Sequence, residues 1–300
     1  MCAARRAYHW LVRAALLAAA AVVALNAAGR QGLREAAALP RDPETGIMRG
    51  AEPIHIVRGR LGACLLLHGW TSSPADFGDL PKALDAAGWD VYAPLHTGHG
   101  TSPTDLDGIS AQALVQPARA QYDGLLARYD RVVLIGFSMG GTIAAILAAE
   151  RPPDRLVLVA PFCGVTQKWY YVLPARWWSA LLSPLVSYAP GRPAAAHVNR
   201  PEGRDEVVAY AAFPSEASEA LFGLREMLAG ADLGALRMPL LMLYSTGDET
   251  SSPPAMSRLF ERLPAGRKRR IVFERSNHYL LHDYDREEAV RAIVGFVCDR

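Results

Sequence analysis

The chain has 300 residues, 51% of them hydrophobic and 21% charged, which is enough for one large or two small domains with a substantial core, and one domain is the simpler interpretation. Its net charge of +2 is small and its basic residues are scattered along the chain, so a nucleic-acid-binding surface is not indicated. The four cysteines lie far apart, without the paired spacing of a zinc site or of a disulfide framework.

Residues 1–28 are predicted to form a membrane anchor or a signal segment. Arg5 and Arg6 precede an Ala/Leu/Val-rich run, and no charge occurs from Ala14 to Leu25. A bilayer span needs roughly 20 apolar residues, and the flanking Tyr, Trp and Arg side chains extend this run toward that length. We expect the N-terminus to lie in the cytoplasm and the rest of the chain on the exported side.

Two alternatives to an anchor stay open for this segment. Small residues at 27–29 and 36–38 are compatible with cleavage of a signal peptide and secretion. A buried helix of a globular domain is the other alternative, which the arginines before the apolar run disfavour. Residues 29–53 contain Gly, Pro and Arg without a sustained period, which predicts a linker into a domain over 54–300.

The first part of that domain contains three histidines in predicted loops. His68 follows the apolar run Ala63–Leu67, which predicts a buried strand. His96 and His99 lie three residues apart in a later Gly-rich loop. A metal pair is one interpretation, but no third ligand stands at a suitable spacing, so we expect satisfied imidazoles that stabilise the loop.

The stretch Arg131–Thr142 reads RVVLIGFSMGGT and predicts a buried parallel strand, a sharp turn and a helix. Ser138 lies in the turn, where a strained backbone would push its hydroxyl out above the sheet. Gly136 and Gly140 remove Cβ atoms that would clash there. The N–H of Met139 would lie at a helix N-terminus, which can stabilise an oxyanion. The alternative is a chance serine in a glycine-rich turn.

In this strand–turn–helix context, the Gly-Phe-Ser-Met-Gly sequence resembles the nucleophile elbow of the alpha/beta-hydrolase family. The resemblance extends over about 54–297 and is closest to small-lid carboxylesterases and monoacylglycerol lipases of the serine aminopeptidase-like branch. It implies a doubly wound, mostly parallel α/β sheet with a lid or cap insert after the sixth strand. The alternation of predicted strands and helices also indicates such a sheet.

The resemblance also implies an oxyanion hole. The residue after the family's His-Gly donates a backbone N–H to the hole, and Trp70 is the matching residue here. Together with the N–H of Met139, it would bind the developing negative charge. His68 more often orients this loop than takes part in catalysis.

Between residues 161 and 238 a long insert replaces the expected short crossover, and we interpret it as a cap. Five aromatic residues cluster within ten positions of this insert: Trp169, Tyr170, Tyr171, Trp177 and Trp178. We expect substrate to contact four of them, since a lid over an acyl pocket must be apolar on its inner face. The four are Trp169, Tyr170, Trp177 and Trp178. Alternatively, they only pack the cap onto the core.

The remaining candidate residues follow the last two predicted strands. Asp248 is the candidate acid, with Glu249 as the alternative, and His278 is the candidate base. The chain order Ser, Asp, His is that of the family. His282 follows four residues later, and we expect it to make only a surface or helix-start contact.

These features predict a serine hydrolase that cleaves carboxylic esters of medium to long acyl chains, as a carboxylesterase or monoacylglycerol lipase would. The reaction needs no metal and no organic cofactor, and the expected partners are a lipid or small-molecule ester and, through the N-terminal segment, a membrane. A peptidase, thioesterase or acyltransferase remains an alternative, because the fold does not fix the leaving group. A non-catalytic membrane-tethered binding module is a further alternative.

Overall fold

The computed structural model describes residues 2–166, 173–191, 194–264 and 266–299. The strands are β1 (Ile54–Ile56), β2 (Gly62–Leu67), β3 (Asp90–Ala93), β4 (Arg131–Phe137), β5 (Arg155–Val159), β6 (Tyr188–Pro190), β7 (Ala212–Pro214), β8 (Leu240–Ser245) and β9 (Lys268–Phe273). The helices are α1 (Cys2–Ala38), α2 (Leu80–Ala86), α3 (Ala111–Leu126), α4 (Met139–Glu150), α5 (Ala175–Leu182), α6 (Ser218–Gly230), α7 (Pro253–Arg262) and α8 (Arg286–Cys298).

Seven strands form the central sheet, in the order β1-β3-β2-β4-β5-β8-β9. Only β1 runs antiparallel to its neighbour, and the other five pairings are parallel. Strands β2, β3 and β8 are buried along their whole length, and β4 and β5 along all but their first residue, as expected when helices cover both faces of a parallel sheet. The predicted doubly wound, mostly parallel α/β sheet is confirmed.

The position of the insert is corrected by one strand. Residues between β5 and β8 form the insert, so it follows the fifth strand of the central sheet among the described residues, not the sixth. The reason is that the chain before β1 forms the helix α1 and not a further strand. Within the insert, β6 and β7 pair antiparallel as a small separate sheet. Along the chain, α5 precedes β6 and α6 follows β7.

Helix α1 is long and apolar enough to cross a membrane, by length and composition, over Arg6–Ala38. It continues ten residues beyond the predicted boundary at residue 28, because Gly29 and Gly32 pack against the insert. A Cβ at Gly29 would lie 2.1 Å from the carbonyl oxygen of Tyr188, so only glycine permits this approach. The two glycines, which suggest a linker in the sequence, are therefore the positions at which α1 contacts the insert.

The rest of the expected linker is also packed against the domain. The Met48 side chain is buried, and its backbone N–H donates to the carbonyl of Gly100 at 2.8 Å. Ala36, Met48 and Ala51 belong to a second apolar cluster, which also includes Tyr210 of the insert. The segment thus differs from a free tether because it buries apolar side chains.

Candidate active site

The turn between β4 and α4 holds Ser138 in a backbone conformation that non-glycine residues rarely adopt, with φ of 53° and ψ of −117°. The helix starts so close to the sheet that a Cβ at Gly140 would lie 1.9 Å from the carbonyl oxygen of Leu67. A Cβ at Gly136 would lie 2.3 Å from the carbonyl oxygen of Gly140. Both glycines are therefore required for the sharp turn that presents the serine.

The structure brings Ser138, Asp248 and His278 together at the carboxyl ends of parallel strands. His278 Nε2 lies 2.9 Å from Ser138 Oγ, and His278 Nδ1 lies 2.7 Å from Asp248 Oδ2. All three side chains are buried. The other oxygen of Asp248 accepts the backbone N–H groups of Thr250 and Ser251, each at 2.8 Å.

These contacts define what the imidazole can do. Because the Asp248 carboxylate can only accept when ionised, Nδ1 of His278 carries the hydrogen and Nε2 presents its lone pair to Ser138. This is the tautomer that can remove the hydroxyl proton. Glu249, the alternative acid, is exposed, and its backbone N–H donates to Asn277.

Trp70 and Met139 line the same cavity as Ser138 and His278, which has a volume of about 170 Å³. Neither backbone N–H donates to another group among the described residues, so both are available to a ligand. The loop before Trp70 is fixed by Asp76, which accepts the N–H of Gly69 at 2.8 Å. Burial raises the pKa of Asp76 to about 6.

His68 links this loop to the loop that follows β3. Its Nδ1 donates to the carbonyl of Gly69 at 2.9 Å, and its Nε2 accepts the N–H of His96 at 3.0 Å. This agrees with an orienting role. His99 Nδ1 donates to the carbonyl of Thr97 at 2.9 Å. The expectation of satisfied imidazoles is wrong in one respect, because Nε2 of His96 and of His99 is buried without a partner among the described residues.

Burial lowers the pKa of all three imidazoles. The pKa of His96 falls to about 3 and that of His99 to about 4, while that of His68 lies well below its usual range. The neighbouring imidazoles further disfavour the charged forms of His68 and His96. The loop that contains Trp70 thus packs against rings that stay neutral at physiological pH.

The expected aromatic lid contacts are only partly described. Trp169 and Tyr170 lie outside the described residues. Trp177 is 67% exposed, and Trp178 lines a different cavity, so neither lines the one that holds Ser138. The insert instead lines this cavity with six other residues, for which the sequence carried no functional prediction: Phe162, Gly191, His197, Tyr210, Phe213 and Leu221. The sequence does not predict these contacts, because isolated residues in a long insert do not indicate which way their side chains face.

His282 does not make the surface contact that was expected of it. It is 1% exposed, with Nδ1 3.0 Å from Glu206 Oε2 and Nε2 2.8 Å from the carbonyl oxygen of Ala75. Glu206 belongs to the insert, and Ala75 lies in the short helical turn Pro74–Phe77 that follows β2. His282 therefore connects the insert to the segment that follows the Trp70 loop.

A family model described as serine aminopeptidase, S33, matches residues 60–285. The chain belongs to this family. It is 26% identical over 258 residues to a thermostable monoacylglycerol lipase from Bacillus sp. (strain H-257), covering 83% of this chain and 95% of the relative. It is 28% identical over 237 residues to a pimeloyl-[acyl-carrier protein] methyl ester esterase of Neisseria meningitidis, covering 71% of this chain and 84% of the relative.

A solved structure supports the fold assignment. The monoacylglycerol lipase of Paleococcus ferrophilus matches with a TM-score of 0.69 and 22% identity, covering 82% of this chain and 97% of that one. The fold is therefore that of the alpha/beta-hydrolases. The protein is an esterase- or monoacylglycerol lipase-like hydrolase.

The histidine cluster predicts a loss of stability in acid. Between about pH 6.5 and pH 4 the unfolded chain binds protons at His68, His96 and His99 that the folded protein does not bind, so the free energy of unfolding falls as the pH is lowered. Asp76 acts in the opposite direction, because its raised pKa makes the folded state bind a proton near pH 6, but it is one group against three.

Urea unfolding at pH 7 and pH 4.5 measures this loss. His99→Asn should reduce the difference between the two pH values by about 2 to 3 kcal/mol, since each pKa unit corresponds to about 1.4 kcal/mol. The matched control is His55→Asn on the exposed side of β1, which should leave the difference unchanged. Equal effects of the two substitutions would contradict the assignment of the loss to the buried cluster.

Proposed function

We propose that the protein is a serine esterase that cleaves carboxylic esters of medium to long acyl chains, as a carboxylesterase or monoacylglycerol lipase does. Ser138 is the nucleophile, His278 the general base and Asp248 the acid that orients the base. The observation that carries this proposal is the continuous hydrogen-bonded chain from Ser138 Oγ through the imidazole to the Asp248 carboxylate.

The reaction follows from these contacts. His278 Nε2 takes the proton of the Ser138 hydroxyl as its oxygen attacks the ester carbonyl, and the carbonyl oxygen becomes an oxyanion. The backbone N–H groups of Trp70 and Met139 bind that oxyanion. The imidazolium returns its proton to the departing alkoxide, which leaves as the alcohol, with the acyl group on Ser138. Water, deprotonated by His278, then attacks the acyl carbon; the bond to Ser138 Oγ breaks, the imidazolium returns its proton to Oγ, and the carboxylic acid leaves.

Two observations favour an ester of an apolar acid over a peptide. The walls of the cavity around Ser138 are largely apolar and aromatic, with Phe137, Phe162, Phe213 and Leu221 among them. None of the described residues that line this cavity is acidic, whereas a peptidase that binds a free amino terminus would need a carboxylate there. The monoacylglycerol lipase relatives suggest a glycerol ester as one candidate.

We also propose that the N-terminal helix anchors the protein in a membrane, with residues 54–300 on the exported side. Every residue from Arg6 to Ala21 is exposed, although most are Ala, Leu or Val. At 1.5 Å a residue this stretch is about 24 Å long, close to the hydrocarbon thickness of a bilayer. Cleavage as a signal peptide is the alternative.

Substitutions at the proposed triad should lower ester hydrolysis without unfolding the protein. Turnover should fall on the order of 10⁶-fold for Ser138→Ala and 10⁴-fold for Asp248→Asn, which stabilises the wrong tautomer of His278. The control is Glu249→Gln, a neighbouring carboxylate on the exposed side, which should change turnover by less than threefold. If Glu249→Gln were more damaging than Asp248→Asn, the assignment of the acid would be wrong.

The acyl-chain preference is the second test. Burying each additional methylene contributes up to about 0.8 kcal/mol, so a few carbons should raise kcat/KM at least tenfold. We expect p-nitrophenyl octanoate and longer esters to exceed the acetate, and aminoacyl anilides to be poor substrates. A maximum at the acetate, or anilide cleavage faster than ester cleavage, would contradict the substrate class.

A further inference from the structure

A second cavity, of about 270 Å³, lies between the N-terminal helix and the insert. Leu25 of α1 forms part of its wall, and apolar residues of the insert form most of the rest: Trp178, Leu182, Val186, Ala189, Pro190 and Phe213. The other lining residues are serines, and no described lining residue is charged. We call this cavity the helix–cap groove.

The helix is fixed to the insert at the groove. Asn26, next to Leu25, donates from Nδ2 to the carbonyl of Leu185 at 2.8 Å and accepts the N–H of Ser187 at 3.3 Å. One turn later Gly29 lies against the backbone of Tyr188. These contacts hold Leu25 in place as part of the groove wall.

The groove adjoins the cavity that contains Ser138. Phe213 lines both cavities, so the two share a wall residue. Its ring centroid is 5.7 Å from that of Trp70, which carries one of the proposed oxyanion donors. Because the two cavities share this residue, a chain bound at Ser138 would lie close to the groove.

The opposite side of the groove is bordered by exposed apolar surface. On α5, Trp178 and Leu182 face the groove, whereas Trp177 and Leu181 are 67% and 56% exposed. Each pair is spaced by four residues and so lies on one helix face. On α1, the fully exposed stretch ends at Ala21, one turn before Leu25. If α1 spans a bilayer, the groove lies at the membrane surface.

We propose that the helix–cap groove binds the acyl chain of the ester, so that the N-terminal helix is a wall of the substrate site as well as an anchor. This inference rests on the proposed esterase function. The carbonyl lies at Ser138, and the chain passes Phe213 and lies between Leu25 and α5.

Filling the groove from the helix side tests this proposal. In the full chain in detergent micelles, Leu25→Trp should lower kcat/KM for p-nitrophenyl laurate at least tenfold and change that for the acetate by less than twofold. The matched control is Val23→Trp, two residues away on the exposed side of α1, which should affect neither ester. Rates are expressed per Ser138 labelled by a fluorophosphonate, so misfolded protein does not count.

A second substitution approaches the groove from the insert. Leu182→Trp should produce the same selective loss of laurate hydrolysis, without altering α1. Equal laurate rates for wild type and both groove variants, or equal losses for Leu25→Trp and Val23→Trp, would overturn the proposal. The failure of the esterase function would look different, because the wild-type protein would then hydrolyse neither ester.

Discussion

The close approach of α4 to β2 is the constraint on which the site depends. Gly140 lies so near the end of β2 that even a methyl group would overlap the carbonyl of Leu67. This contact holds the serine turn against the loop that begins at His68, so Ser138, Met139 and Trp70 share one cavity. Two further buried contacts fix this loop: Asp76 accepts the N–H of Gly69, and His68 accepts the N–H of His96.

Much of the fold and of the candidate site could be predicted because the signals were local. A strand, a turn and a helix within twelve residues indicated Ser138, and short segments after later strands indicated Asp248 and His278. Their mutual distances depend on strand order, which single segments do not encode. The predicted substrate contacts of Trp177 and Trp178 were wrong for the same reason. The clustering of these two residues in the sequence does not reveal which cavity each side chain lines, and Phe213, which does line the cavity of Ser138, lies outside that cluster.

Two glycines explain why a linker was predicted from residue 29, where the structure instead continues α1 to Ala38. Gly29 and Gly32 lower helix propensity, so the sequence indicated a linker, but tertiary packing outweighs a cost of about 1 kcal/mol for each glycine. Their missing Cβ atoms allow α1 to touch the insert, and this contact brings Leu25 beside α5. The helix that we propose as a membrane anchor is thereby joined to the insert, which also lines the cavity around Ser138.

We propose Ser138 as the nucleophile, activated by His278. The most direct measurement is peptide mapping by mass spectrometry after reaction with a fluorophosphonate, performed on the wild type and on His278→Ala. We expect the adduct on the peptide that contains Ser138, with labelling of the His278→Ala protein slowed by several orders of magnitude. An adduct on another serine, such as Ser72 or Ser73, or labelling of Ser138 at an equal rate without His278, would contradict the account.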